Sequence, residues 1–97
     1  MGIMNQEGFD FDVLKALSDE VRIEILNILG TESMNVQDIA DRCSVSRPNV
    51  SHHLQILRRA GILQVQKMGK ESYYSVQTHK ILELAQSLLR YISSGKL

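Results

Sequence analysis

The sequence is poor in cysteine, since Cys43 is the only one among 97 residues. A lone thiol cannot form an intramolecular disulfide, and without a Cys-x-x-Cys pair it offers no closed zinc or redox centre. No apolar run approaches the roughly 20 residues that span a bilayer, and the N-terminus lacks the basic-then-apolar pattern of a signal peptide. We therefore expect a protein that stays in the cytoplasm and has no membrane partner.

Acidic residues are absent from the segment 42–70, although the whole chain is neutral, with 11 basic and 11 acidic side chains. The basic residues of this segment are Arg42, Arg47, Arg58, Arg59, Lys67 and Lys70. A positive field on one segment of a neutral protein is typical of a nucleic-acid reader and argues against a nonspecific polycation.

A chain of 97 residues that is 43% hydrophobic supports one domain, residues 1–97, with a modest core. So small a unit commonly buries more apolar surface by pairing with a copy of itself, and we therefore expect a homodimer. Residues 1–8 are predicted to form a loosely held tail, because helical spacing of apolar residues starts only at Phe9.

The first two helices are predicted from apolar residues at helical spacing. The first begins at Phe9 and has a wide apolar face. In the second, Ser18 is expected to cap the start and Gly30 to close the end. Arg22 is expected on the outer side of this second helix.

A third helix is predicted to begin at Asn35, with Asp38 completing a pair that imitates a capping box, and to run to Cys43. Residues 44–46 then form a tight turn before the next helix. Two helices joined by a short turn over 36–60 are typical of a helix-turn-helix, in which the second helix enters a DNA groove.

That second helix is predicted over 46–61. The hydroxyl of Ser46 can cap its start, Pro48 fits only in a first turn, and Gly61 can take the left-handed closing conformation. Its buried stripe is Val50, His53, Leu54 and Leu57. Its outer face is polar and basic, with Arg47, Asn49, Ser51, His52, Gln55, Arg58 and Arg59. Such side chains suit base edges and phosphates in a major groove.

After Gly61 the apolar period changes from about 3.6 to 2, which predicts a β-hairpin over 62–76. Its tip has Gly69 for the turn and the lysines Lys67 and Lys70 on either side, so it can lie along a phosphate backbone as a wing. The alternative is a plain edge ribbon whose lysines prevent pairing with another sheet.

The last segment, 78–94, is predicted to be a helix whose apolar band is too wide for one side of a small domain. Packing this helix and the first helix against their copies across a two-fold axis would bury the excess. The same arrangement would set two recognition helices about 34 Å apart, which is one turn of DNA.

The sequence resembles the ArsR/SmtB family of winged-helix repressors over almost its whole length. The resemblance is carried by residues 14–26 (LKALSDEVRIEIL), 39–54 (IADRCSVSRPNVSHHL), 57–63 (LRRAGIL) and the wing residues 69–74. It implies a mainly α fold with a small β-hairpin, a winged helix-turn-helix that dimerises through its first and last helices. It also implies a homodimer that binds an inverted-repeat operator in double-stranded DNA and is released by an inducer, which the sequence does not identify.

The sensing motifs common in that family are not present here. Met34 and Val36 stand where many members carry a Cys-Val-Cys metal motif, and neither can bind as a thiolate. At the second common site His79 is the one matching ligand, whereas a stable zinc site wants about four. We therefore expect no metal and no cofactor.

Cys43 has two interpretations. Its position in the resemblance is normally an apolar residue of the core, and free Cys behaves as a small hydrophobe. The alternative is a redox sensor, in which oxidation would place a polar group beside the recognition helix. His53 is expected to close the core side of that helix, whereas His52 points outward.

The functional hypothesis is a sequence-specific transcriptional repressor and not an enzyme. Side chains predicted to face the major groove are Arg47, Pro48, Asn49, Ser51, His52 and Gln55, and those predicted to meet phosphates are Arg42, Arg58, Arg59, Lys67 and Lys70. A rival hypothesis is a winged-helix module that docks proteins through its apolar last helix. An enzyme is disfavoured because Ser51, His52 and His53 project from a helix in different directions.

Overall fold

The computed structural model describes residues 10–94. The helices of this part of the chain are α1 (Phe11–Leu17), α2 (Glu20–Leu29), α3 (Val36–Arg42), α4 (Arg47–Arg59) and α5 (Thr78–Ser93). Its strands are β1 (Met34–Asn35), β2 (Leu63–Met68) and β3 (Glu71–Val76). Helix α1 begins at Phe11, and the predicted start at Phe9 lies outside the described residues. None of the helices described is long and apolar enough to cross a membrane.

Aspartates begin the first two helices. Asp10 accepts hydrogen bonds from the backbone N–H groups of Asp12 and Val13, and Asp19 accepts from those of Val21 and Arg22. The prediction that Ser18 caps α2 is therefore wrong. Ser18 ends α1, where its Oγ donates to the carbonyl of Leu14 at 2.7 Å. A carboxylate also suits the positive end of a helix better than a hydroxyl does.

The helix-turn-helix is formed by α3 and α4. Asn35 caps α3 by accepting from the N–H of Asp38 at 2.8 Å, as predicted. Ser46 occupies the capping position of α4, but its hydroxyl makes no capping hydrogen bond, so that part of the prediction is wrong. Pro48 lies in the first turn, and Gly61 follows the helix at φ +81°, a conformation that L side chains rarely adopt.

The predicted hairpin is confirmed as β2 and β3, joined by a turn in which Gly69 has φ +68°. A third strand was not predicted. Strand β1 pairs with β3, with Met34 opposite Tyr74, so the sheet order is β1-β3-β2. A strand of two residues is too short to show an alternating pattern, which is why sequence reasoning missed it.

The hydrophobic core lies where the helix-turn-helix meets α1, α2 and the start of β2. Its largest fully buried side chains are Val13, Ile25, Leu29, Ile39, Val50, Leu54, Leu57 and Ile62. Helix α5 contributes one buried residue, Leu84. The core therefore fixes α4 from behind and leaves α5 largely at the surface.

Arg22 lies on the inner side of α2, so the prediction that it faces outward is wrong. Its side chain is only 13% exposed. The guanidinium donates to the carbonyls of Ala16 at 2.6 Å and Lys15 at 3.3 Å, and Nη1 lies 3.1 Å from Nδ1 of His53. Arg22 thus closes the carbonyl end of α1 and reaches the recognition helix.

Candidate nucleic-acid interface

The structure places every predicted DNA-contact residue at the surface. Those exposed on or beside the helix-turn-helix are Arg42, Arg47, Pro48, Asn49, Ser51, His52, Gln55, Arg58 and Arg59, and those exposed on the hairpin are Lys67 and Lys70. The buried face of α4 consists of Val50, Leu54 and Leu57. Because these residues pack in the core, the opposite face of α4 is exposed to solvent.

The recognition helix and the hairpin share a cleft of about 520 Å³. Arg47 and Ser51 line it from α4, and Lys70 lines it from the tip of the hairpin. Glu71 and Tyr74 complete the hairpin side. The fold therefore brings together cations that lie more than 20 positions apart in the chain.

Arg47 is held by a residue that sequence reasoning did not select. Its Nη1 donates to Oε1 of Gln37 at 2.8 Å, and Nε2 of Gln37 donates to Oδ1 of Asp41 at 2.7 Å. Gln37 stands in the first turn of α3 and is exposed. Nothing in the sequence distinguishes it from other surface glutamines, because the contact depends on how α3 and α4 pack.

Within residues 10–94, one side-chain hydrogen bond ties the hairpin to the helix-turn-helix. Nδ2 of Asn35 donates to Oε1 of Glu71 at 2.6 Å, beside Lys70. Asn35 therefore has two roles, because its Oδ1 also caps α3. Lys67 lies on β2, which is an outer strand of the sheet, and it is paired with Ser72 on β3. Lys67 can accordingly also serve the edge-blocking role of the alternative interpretation.

The turn between α3 and α4 is fastened to α2. Oε2 of Glu24 accepts from the N–H of Ser44 at 2.9 Å, and Oε1 accepts from its hydroxyl at 2.6 Å. These hydrogen bonds, above all the one from the Ser44 hydroxyl, lower the pKa of Glu24 from its ordinary value of 4.5. Ionised Glu24 therefore stabilises the turn that aims the recognition helix.

We expect Glu24→Gln to lower the free energy of unfolding at pH 7. A carboxyl group with a lowered folded-state pKa contributes stability above its unfolded pKa and loses it as the pH falls through the folded value. The difference between wild type and variant should therefore shrink as the pH falls below the ordinary pKa of 4.5 and through the lowered folded-state pKa, as measured by urea unfolding. Glu32→Gln is the control, since the Glu32 side chain is exposed and makes no hydrogen bond to residues 10–94. Equal stabilities at pH 7 would contradict this assignment.

His52 and His53 occupy different environments, as predicted. His52 is exposed, whereas His53 is half-buried and contacts Arg22. An arginine can only donate, so Nδ1 of His53 is the acceptor in this contact. The partner stands 31 positions earlier in the chain, a separation at which one sequence carries no pairing signal.

Cys43 is half-buried at the end of α3 and packs against the hydrophobic core, as its apolar interpretation expects. Its redox role remains a prediction. Within residues 10–94, no three His, Cys, Asp or Glu side chains are grouped as a metal site requires.

Comparisons with known proteins identify the family to which this chain is similar. The family model described as bacterial regulatory protein, arsR family, matches residues 19–65. The transcriptional repressor SdpR of Bacillus subtilis (strain 168) is 36% identical over 84 residues, which cover 87% of this chain and 93% of SdpR. These relatives are regulators of transcription and not enzymes.

Two solved structures show the same fold. An ArsR-like transcriptional regulator from Rhodococcus sp. RHA1 superposes with a TM-score of 0.81 at 31% identity, covering 97% of this chain and 86% of that one. The winged helix-turn-helix DNA-binding domain Mb0332 from Mycobacterium bovis, described as homodimeric, gives a TM-score of 0.68 at 22% identity, covering 90% and 84%.

Proposed function

We propose that this chain, which belongs to the arsR family of bacterial regulatory proteins, represses transcription as a homodimer bound to an inverted-repeat operator. Helix α4 lies in the major groove and the hairpin lies beside it as a wing. The protein acts in the cytoplasm, where its operator overlaps a promoter. An inducer releases the protein from this operator.

The observation that carries this proposal is the shared cleft between α4 and the hairpin. Arg47 and Lys70 face it from opposite sides, and the segment 42–70 that supplies them has no acidic residue. Base edges give sequence preference through α4, whereas phosphates give affinity through the surrounding cations. Glu71 is the acidic residue that lines the cleft, and its carboxylate accepts a hydrogen bond from Asn35.

The proposed homodimer is supported by apolar side chains that the described chain leaves exposed. On α5 these are Leu82, Leu89 and Ile92, at 55%, 66% and 48% exposure, and on α1 Phe11 is 61% exposed. The α5 residues lie at positions separated by seven and three, which places them on one face of the helix. A contiguous apolar face of this kind marks an interaction site.

The test is selection from a pool of random DNA duplexes. We expect enrichment of an inverted repeat whose half-sites lie about one helical turn apart. The selection is run on reduced, metal-free protein and repeated after oxidation and after zinc addition, so that loss of binding in one arm identifies the inducer class. A protein that remains monomeric and enriches no sequence at low salt would favour the protein-docking module, which nothing in the comparisons supports.

We expect Lys67→Ala to weaken binding to all DNA sequences alike and to flatten the salt dependence. Each lost phosphate contact lowers the log-log slope of affinity against salt by about 0.9, so a dimer that loses two should change by roughly 1.8. Lys15→Ala is the control, since Lys15 is exposed on α1 and outside the basic segment. An unchanged slope would leave Lys67 with only its edge-blocking role.

A further inference from the structure

Gln37 is an exposed glutamine whose two amide atoms are both engaged within the protein. Oε1 accepts from Nη1 of Arg47 at 2.8 Å, and Nε2 donates to Oδ1 of Asp41 at 2.7 Å. Gln37 lines the cleft between α4 and the hairpin together with Arg47. It therefore stands at the proposed DNA surface with both atoms of its amide already hydrogen-bonded within the protein.

The hydrogen bonds that link Arg47, Gln37 and Asp41 allow only one orientation of the Gln37 amide. A guanidinium has only donors and an ionised carboxylate has only acceptors. The amide oxygen must therefore face Arg47 and the amide nitrogen must face Asp41. Asp41 lies one helical turn after Gln37 on α3, so the helix itself sets the direction in which the amide points.

The contact restrains Arg47 without exhausting its donors. Within residues 10–94, the side chain of Arg47 makes no hydrogen bond other than the one to Gln37. Its remaining N–H groups are free to meet DNA. An arginine reads guanine through two parallel hydrogen bonds to O6 and N7, and this requires the guanidinium to be held in one orientation.

We propose that Gln37 is a positioning residue that sets the base preference of Arg47. It acts through the orientation of the guanidinium and not through a contact of its own with DNA. This inference rests on the proposed function, because it assumes that Arg47 faces the major groove of an operator.

The test compares base preferences of wild type, Arg47→Ala, Gln37→Ala and the double variant in the random-duplex selection. Arg47→Ala should lose preference at one base pair in each half-site. We expect Gln37→Ala to reduce preference at that same base pair by at least about fivefold. The double variant should match Arg47→Ala, since Gln37 acts only through Arg47. The salt slope of Gln37→Ala should equal that of wild type, because no charge is lost.

Gln64→Ala is the matched control, because Gln64 is another exposed glutamine and lies on β2, outside the residues that line the cleft. It should keep the wild-type preference at every position. The midpoint of thermal unfolding of Gln37→Ala should also stay at the wild-type value, which separates positioning from folding.

The outcomes distinguish this inference from the function it rests on. If wild type enriches no sequence, the proposed function fails. If wild type enriches an operator and Gln37→Ala keeps the full preference at the Arg47 base pair, the repressor assignment stands and the positioning role is wrong. A Gln37→Ala profile altered at a different base pair would instead make Gln37 a direct base contact and would overturn the inference.

Discussion

Replacing Leu89 with glutamate should convert the proposed dimer into a monomer and reduce operator affinity by about 100-fold or more. Leu89 is 66% exposed on α5, in the middle of the apolar face. A carboxylate there would be desolvated against an apolar partner surface, and burial of an unpaired charge is costly. A monomer binds one half-site and loses the effective-concentration advantage of two linked sites, which is about 100- to 10,000-fold.

The measurements are sedimentation velocity for oligomeric state and fluorescence anisotropy for operator binding. His79→Glu is the control, because it adds a carboxylate to the exposed first turn of the same helix, where an acidic residue is favourable. Far-ultraviolet circular dichroism should show that Leu89→Glu stays folded, since the side chain is exposed in the single chain. A Leu89→Glu protein that remains dimeric would place the interface elsewhere.

Replacing Arg22 with alanine should lower the free energy of unfolding by about 2–4 kcal/mol. A hydrogen bond from a charged donor contributes about 1.5–3 kcal/mol, and the three contacts of Arg22 should total less than three times that value because the one to Lys15 is long, at 3.3 Å, and contacts within one network are not additive. The variant leaves the carbonyls of Lys15 and Ala16 and the acceptor Nδ1 of His53 without their donor. Arg22→Lys should recover only part of the loss, because a single ammonium group cannot reproduce the fork of guanidinium donors. The measurement is urea unfolding.

Arg90→Ala is the matched control. Arg90 is exposed on α5, and its side chain donates one long hydrogen bond, of 3.3 Å, to Ser87. Its removal should change stability by under about 1 kcal/mol. The nitrogen shifts of His53 provide a second readout, because Nδ1 of His53 lies 3.1 Å from Nη1 of Arg22 and loses this contact in the variant. An Arg22→Ala protein as stable as Arg90→Ala would show that the three contacts contribute nothing net.

Local patterns in the sequence are sufficient to predict the helices and the hairpin. The apolar spacing of Val50, Leu54 and Leu57 predicted the buried face of α4, and those three residues are buried. Pro48 and Gly61 marked its two ends because their backbone preferences are intrinsic to the residues. The absence of acidic residues over 42–70 is likewise seen without a structure, since charge is a property of composition.

Two errors are local, namely the capping roles predicted for Ser18 and for the hydroxyl of Ser46. The other errors concern contacts between elements distant in the chain. Arg22 was predicted to lie at the surface because a charged residue usually does, yet it fills a gap between α1 and α4 and satisfies three acceptors there. Strand β1 exists only because β3 pairs with it. Gln37 became a candidate positioning residue only when the packing of α3 on α4 brought it to Arg47.

The amino-acid sequence by itself therefore determined the order of the helices and of the hairpin strands, the polar face of α4 and the basic segment, since each depends on near neighbours or on composition. Tertiary structure decided which side chains meet across the cleft and that Arg22 is half-buried. Those contacts depend on the relative orientation of helices, which is set by the shape of the shared core and has no counterpart in residue spacing.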